Sequence, residues 1–346
     1  MSGDYCGRAG LVAYGFLGLL ISMGGPASAA GSVVVYCGVN EEWCRAAATA
    51  FEQKSGIHVD MTRQSAGEIY ARLRAEKDNP RGDIWYGGTG DPHLQAAADG
   101  LTDVYVSPSL KALHPWAQDQ AKRTGNRTVG LYLGVLGFGY NQKTLQQRKM
   151  PVPACWADLL KTDFKGEVQM ADPNSSGTAW TMLATIVQLM GEEPAFAYLK
   201  KLNANIDQYT TAGAAPAQAV ARGEVTVGIA FQHDLVDAAK HAPDVKVVSP
   251  CEGTGYEIGS MSIIKGARHL EEARQFYEWA LTPEAQALAA KNGSYQVPSN
   301  VATPIPPEAP EIAKMKLINY DFGKYGSPDE RKRLLSRWTT EVKNGG

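Results

Sequence analysis

SVVVYCGVNEEW (32–43), IHVDMT (57–62) and DIWYGGTGDP (83–92) share one grammar: a short apolar run, a small polar exit, then a helical stretch. Ser32 to Tyr36 reads as a buried strand, and the Ala-rich segment from about Glu41 to Lys54 as the helix after it. Ile57 to Thr62 reads as the next strand, and Ser65-Ala66-Gly67-Glu68 has capping-box spacing before a helix carrying Ile69 and Leu73. Ile84 to Tyr86 is a third strand, and Asp91-Pro92 reads as a helix cap with a first-turn proline. Three such units in about sixty residues predict a parallel sheet covered by helices on both faces.

Upstream, Leu11 to Ile21 is an apolar run preceded by Arg8 and followed by small residues ending in Ala27-Ser28-Ala29. This predicts a cleaved signal peptide over residues 1–30, with cleavage after Ala29 or Ala30. A retained anchor is the alternative. The chain has 346 residues, 44% of them hydrophobic, enough for real cores and against disorder. Its net charge of -2 excludes a polycationic nucleic-acid coat. Cleavage would remove Arg8, Asp4 and Cys6 together, leaving the charge at -2, so anion selectivity is expected from helix ends and hydroxyls. The remaining Cys37, Cys44, Cys155 and Cys251 allow three pairings in an exported protein. Cys37–Cys44, across a strand–helix turn, and Cys155–Cys251, between two loops, are favoured. Zinc at the first pair would lack a nearby histidine.

Downstream, Val129 to Tyr140 is long, apolar and broken by glycines, as expected of a bent strand and hinge between two lobes. A second strand–helix series follows, with strands at Val168–Ala171, Val225–Phe231 and Val245–Ser249. Tyr256 to Ile264 reads as a returning crossover strand. Helices are expected at about Leu270–Leu281, Pro283–Lys291, Glu311–Tyr320 and Pro328–Val342, with the chain's end on the first lobe.

In an open parallel sheet, ligands bind beyond the carboxyl ends of strands, where helices begin. Four such exits are small and polar: Gly38–Asn40, Gly87–Asp91, Asn174–Thr178 and Gln232–Asp234. Ser175, Ser176 and Thr178 would offer hydroxyls to an oxyanion at a helix start, with Thr89 contributing across the cleft. Ser175, Ser176, Asp91 and the pair His233-Asp234 also read as plain caps. His58, His93, His114, His241 and His269 read as surface residues. No Gly-x-Ser-x-Gly elbow, His-Glu-x-x-His site or phosphate-binding NTPase loop is present. A hydrolase built on His233 and a carboxylate is the enzymatic alternative.

VVYCGVNEEW, DIWYGGTGD, ADPNSSGTAWTMLATIVQLMG, QYTTAGAAPAQAVARGEVTVGIAFQHD, CEGTGYEIGSMSIIKGA, ALTPEAQ and SYQVPSN together carry a family likeness from Val33 to Val342. The chain resembles the periplasmic solute-binding proteins of ABC importers, in the ferric-iron-binding-like group. The resemblance implies an α/β, type II periplasmic-binding-protein fold with mixed sheets and crossover hinge strands. Lobe one is expected over 31–130 and 263–346, and lobe two over 131–262. Iron-binding members carry paired tyrosines, and this chain has no Tyr-Tyr pair, so ferric iron is the alternative ligand. The likeness is strongest to the hexose-phosphate-binding branch. That branch implies His233, Asp234 and Glu257 on sugar hydroxyls, and Ser176, Thr178, Ser175 and Thr89 on phosphate. Gly88 and Gly177 lie in the same turns, and Asn40 or Glu41 is an extra contact. The resemblance further implies a periplasmic monomer without cofactor or metal, partnered by a small phosphorylated solute and an inner-membrane permease.

Overall fold

The computed structural model describes residues 1, 3–7, 10 and 31–345. The expected apolar run and cleavage site lie outside the described residues. Among the described residues no helix is long and apolar enough to cross a membrane.

The first series is β1 (Ser32–Cys37), α1 (Glu41–Ser55), β2 (His58–Arg63), α2 (Ala66–Ala75), β3 (Ile84–Tyr86) and α3 (Gly90–Ala98). Strand β1 lies between β2 and β3, parallel to both, as the three strand–helix units predict. Helix α4 (Pro115–Arg123) then precedes the long strand β4 (Val129–Asn141). The second series runs α5 (Gln142–Gln147), β5 (Val168–Ala171), α6 (Gly177–Met190), α7 (Glu192–Asn203), β6 (Ile206–Thr210), α8 (Ala215–Arg222), β7 (Val227–Phe231), α9 (Gln232–His241) and β8 (Val245–Val248). After β9 (Tyr256–Ile263) come α10 (Leu270–Ala280), α11 (Pro283–Gln286), α12 (Leu288–Lys291), β10 (Val297–Pro298), α13 (Phe322–Tyr325) and α14 (Pro328–Arg337). Strand β6, partly exposed throughout, and the eight-residue helix α8 are additions to the elements expected from sequence.

The mixed sheet has the order β2-β1-β3-β9-β4-β7-β5-β6. Strand β4 joins its halves. Val129–Val135 pairs with β9, and Leu136–Tyr140 pairs with β7. The change of partner falls between Val135 and Leu136, later than the boundary at 130/131, and β9 stays with the first half throughout. The ladder slips between Gly130 and Tyr132, where the glycine-broken sequence predicts a bend.

Each half has its own core. Trp43, Phe51, Tyr86, Phe276 and Trp279 fill the first, and Trp156, Phe164, Trp180 and Phe196 the second. Burying each such ring contributes roughly 1.5–3 kcal/mol. The chain's end departs from expectation. Trp338, Leu334 and Val342 join the second core, and Arg333 and Arg337 pair with Glu192 of α7. The segment Trp338–Lys343 after α14 packs along α7, and Arg333 and Arg337 tie α14 itself to that helix. Residues 311–320 form a short 3-10 turn at Ile312–Lys314 instead of a helix. The disulfides join Cys37 to Cys44 and Cys155 to Cys251, the favoured pairs.

Candidate functional site

Five helix N-termini meet at a cleft between the two halves. From the first half come Asn40 before α1, Ser65 before α2 and Gly88-Thr89 before α3. From the second come Ser176, Gly177 and Thr178 at α6, and His233 and Asp234 in the first turn of α9. Each helix start leaves N–H groups without an i−4 partner and the positive end of its dipole toward the space. The parallel pairing on both sides aims these ends together.

Of the residues singled out in the sequence, Asn40, Gly88, Thr89, Ser176, Gly177, Thr178, His233, Asp234 and Glu257 line the cleft. Glu41 and Ser175 do not. Glu41 turns back along α1 to pair with Arg45, and the Ser175 hydroxyl donates to the carbonyls of Asp172 and Thr211. Asn40 is largely committed: its Oδ1 accepts from Trp43 N–H, and its Nδ2 donates to Asn292 O, both at 2.9 Å. Thr89, not Asp91, is the cap of α3. His93 is buried, not a surface residue, stacked on Trp85 and bonded to Ser262 Oγ at 2.8 Å.

The structure adds Arg63, Ser65, Tyr132, Gly213 and Gln296 to the lining. Arg63 adds a guanidinium to the expected hydroxyls and helix ends at the cleft, its Nε donating to Val39 O at 3.0 Å. Its position as the last residue of β2 was the available signal. Tyr132 accepts from Gly88 N–H at 3.0 Å. Gly213 admits Thr178: a Cβ there would collide with its hydroxyl and sit 3.1 Å from Ser176 Oγ.

Near the hydroxyls and Arg63 lies a contrasting group. Glu257 and His233 are 3% and 6% exposed, yet Glu257 Oε2 and His233 Nδ1 have no hydrogen-bond partner. Burial pushes Glu257 up to about 8, opposed by the Thr89 hydroxyl and reinforced by Asp234. Burial pushes Asp234 up to about 7, opposed by Arg63, and pushes His233 down to about 3. Buried polar atoms without partners are costly, and the hydroxyls of a solute, which both donate and accept, relieve them. His233 Nε2 stands 3.6 Å from Asp234 Oδ1, beyond hydrogen-bond length, so no oriented His–Asp couple forms. Among the described residues, the one group of three ligand-type side chains within 4.8 Å of one another is Cys155, Cys251 and Glu252. Both of its sulfurs are already bonded together.

A mixed sheet split into halves by one shared strand, with helix N-termini facing across a cleft, defines a two-lobed type II binding protein. The family model for bacterial extracellular solute-binding proteins matches residues 86–324, and the chain belongs to that family. It is similar to the periplasmic binding protein AfuA of Actinobacillus pleuropneumoniae, solved with fructose-6-phosphate bound. The two are 46% identical with a TM-score of 0.88, covering 90% of this chain and 99% of AfuA. A putative 2-aminoethylphosphonate-binding periplasmic protein of Salmonella typhimurium is 28% identical over 264 residues, 73% of each chain. Iron-bound HitA of Pseudomonas aeruginosa shares the fold at 20% identity, with a TM-score of 0.74 over 88% of this chain and 98% of HitA.

Proposed function

We propose that this protein is the periplasmic solute-binding component of an ABC importer, capturing a small phosphorylated sugar or related organophosphate without turning it over. One observation carries the reading. A single cleft combines helix N-termini, hydroxyls and Arg63, suited to a dianion, with buried polar atoms lacking partners, suited to sugar hydroxyls. The likeness to AfuA supports the same ligand class. The solute enters between separated lobes, contacts from both favour closure, and an inner-membrane permease takes up the closed form. Calorimetry with glucose 6-phosphate, fructose 6-phosphate, 2-aminoethylphosphonate, glucose, inorganic phosphate and ferric citrate tests this. Heat from the phosphorylated compounds, and none from ferric citrate, is the expected result; the reverse overturns the reading.

The buried acids make capture pH-dependent. Asp234 and Glu257 hold their protons more tightly folded than unfolded. Their stabilising contribution is fully present below the ordinary values of 3.8 and 4.5, and is lost as pH rises through about 7 and about 8. His233 has the opposite sign: its contribution is present above 6.5 and lost as pH falls toward about 3. Hydroxyl donors favour the ionised carboxylates, so solute recovers what the rise in pH removes. The melting-temperature gain with saturating glucose 6-phosphate is expected to grow from pH 5 to 8. Glu257→Gln is expected to flatten that rise, leaving the part due to Asp234 and to the phosphate's own ionisation. An equally steep rise in the variant contradicts the assignment.

A further inference from the structure

Behind the α6 end of the cleft lies a buried polar group that solute capture leaves unused. Arg331 of α14 is 5% exposed, and its Nη2 donates to the carbonyl oxygens of Pro173 and Asn174, 3.3 Å from each. The guanidinium lies 5.2 Å from the centre of the Trp180 ring in α6 and 5.9 Å from that of Tyr70 in α2. It therefore touches both lobes. Close by, Asp91 is 2% exposed in the first turn of α3, two residues after Thr89, and accepts from the Tyr320 hydroxyl at 2.5 Å. Arg331 Nη1 and Asp91 Oδ1 have no partner, so neither residue is explained by a completed network.

The Asp172–Ser175 turn decides which way α6 presents itself. Ser175 and Ser176 N–H groups both return to Asp172 O, and Asn174 N–H to Asp172 Oδ1. Lys343 holds the Asp172 carboxylate from outside. A peptide carbonyl swung toward the cleft would repel an anion. Arg331 draws two of them to the rear, leaving the first-turn N–H groups of Gly177 and Thr178 to the solute.

From this arrangement we infer that Arg331 is a positioning residue for the anion-binding end of the cleft, and with Asp91 and Tyr320 braces the lobes in their closed arrangement. The inference rests on the phosphorylated-solute reading for its first half; the brace is independent of it.

Arg331→Met and Arg331→Lys in the full chain separate the possibilities. Stopped-flow measurement with glucose 6-phosphate is expected to give dissociation about tenfold faster for Arg331→Met, with association nearly unchanged. Arg331→Lys is expected to recover only part of this, because an ammonium lacks the planar fork. Spin labels at Lys111→Cys and Lys201→Cys, both exposed, in the Cys6→Ser chain report lobe separation. The ligand-free Arg331→Met distances are expected to shift toward those of an open form. Wild-type dissociation together with wild-type distances overturns the inference, as does a lowered ligand-free melting temperature with unchanged distances, the sign of a merely structural role. A wild-type chain that binds no phosphorylated sugar overturns the proposed function instead, while the distances still decide the brace.

Discussion

Glu257→Gln is expected to raise the melting temperature of the ligand-free protein at pH 8 while weakening glucose 6-phosphate binding about a hundredfold. The two effects share one cause. Glu257 is buried with one oxygen unpartnered, and burial pushes it up to about 8. In the empty cleft its charge is a cost, and an amide of the same shape removes that cost. In the occupied cleft the carboxylate accepts from hydroxyls through charge-assisted bonds, each contributing about 1.5–3 kcal/mol. The amide keeps one acceptor oxygen and turns an NH2 toward donors. Differential scanning fluorimetry and calorimetry on one preparation read both effects. A variant destabilised at pH 8, or one binding with wild-type affinity, removes Glu257 from the site.

Gly67→Val is expected to abolish tight capture while leaving each lobe folded. Gly67 lies in the first turn of α2, where a side chain is conformationally ordinary. A Cβ there would fall on the carbonyl oxygen of Ser175, and 3.1 Å from Arg331 Nη2, both across the cleft. The side chain acts as a wedge against closure, not as a defect in either core. Affinity for glucose 6-phosphate is expected to drop about a hundredfold or more, because the solute retains contacts with one lobe only. Circular dichroism and the ligand-free melting temperature are expected to stay near wild type. Loss of both fold and binding contradicts the wedge, since the clash would then lie within a lobe. Wild-type affinity shows that closure does not bring α2 onto the Ser175 turn.

Much of the site was legible because of where parallel strands end. Thr89, Ser176, Thr178, His233 and Asp234 each follow an apolar run and open a helix, so local grammar alone marks them. Glu257 was reached by resemblance, since a single carboxylate inside an apolar strand says nothing about what it faces. Arg63 was missed because a basic residue ending a half-exposed strand looks like any solvated charge. Gly213 lies on a turn and Gln296 in the irregular segment before β10, and the composition of neither gives a direction. Glu41 and Ser175 stand beside residues that line the cleft, but helix periodicity turns Glu41 to Arg45, and the Asp172 turn consumes the Ser175 hydroxyl.

By itself, the sequence determined the strand–helix alternation, the parallel pairing of the first three strands and most of the helix starts that meet at the cleft. These follow from short-range rules: apolar periodicity, capping and turn chemistry act within a few residues. Tertiary structure alone decided that β4 changes partners at Val135, that the segment after α14 lies on α7, and that Arg331 reaches the turn before α6. It also decided that Glu257 and His233 are buried, each with one polar atom unpartnered. Burial and long-range pairing depend on which surfaces meet once the chain is folded, and that geometry is written in no local stretch.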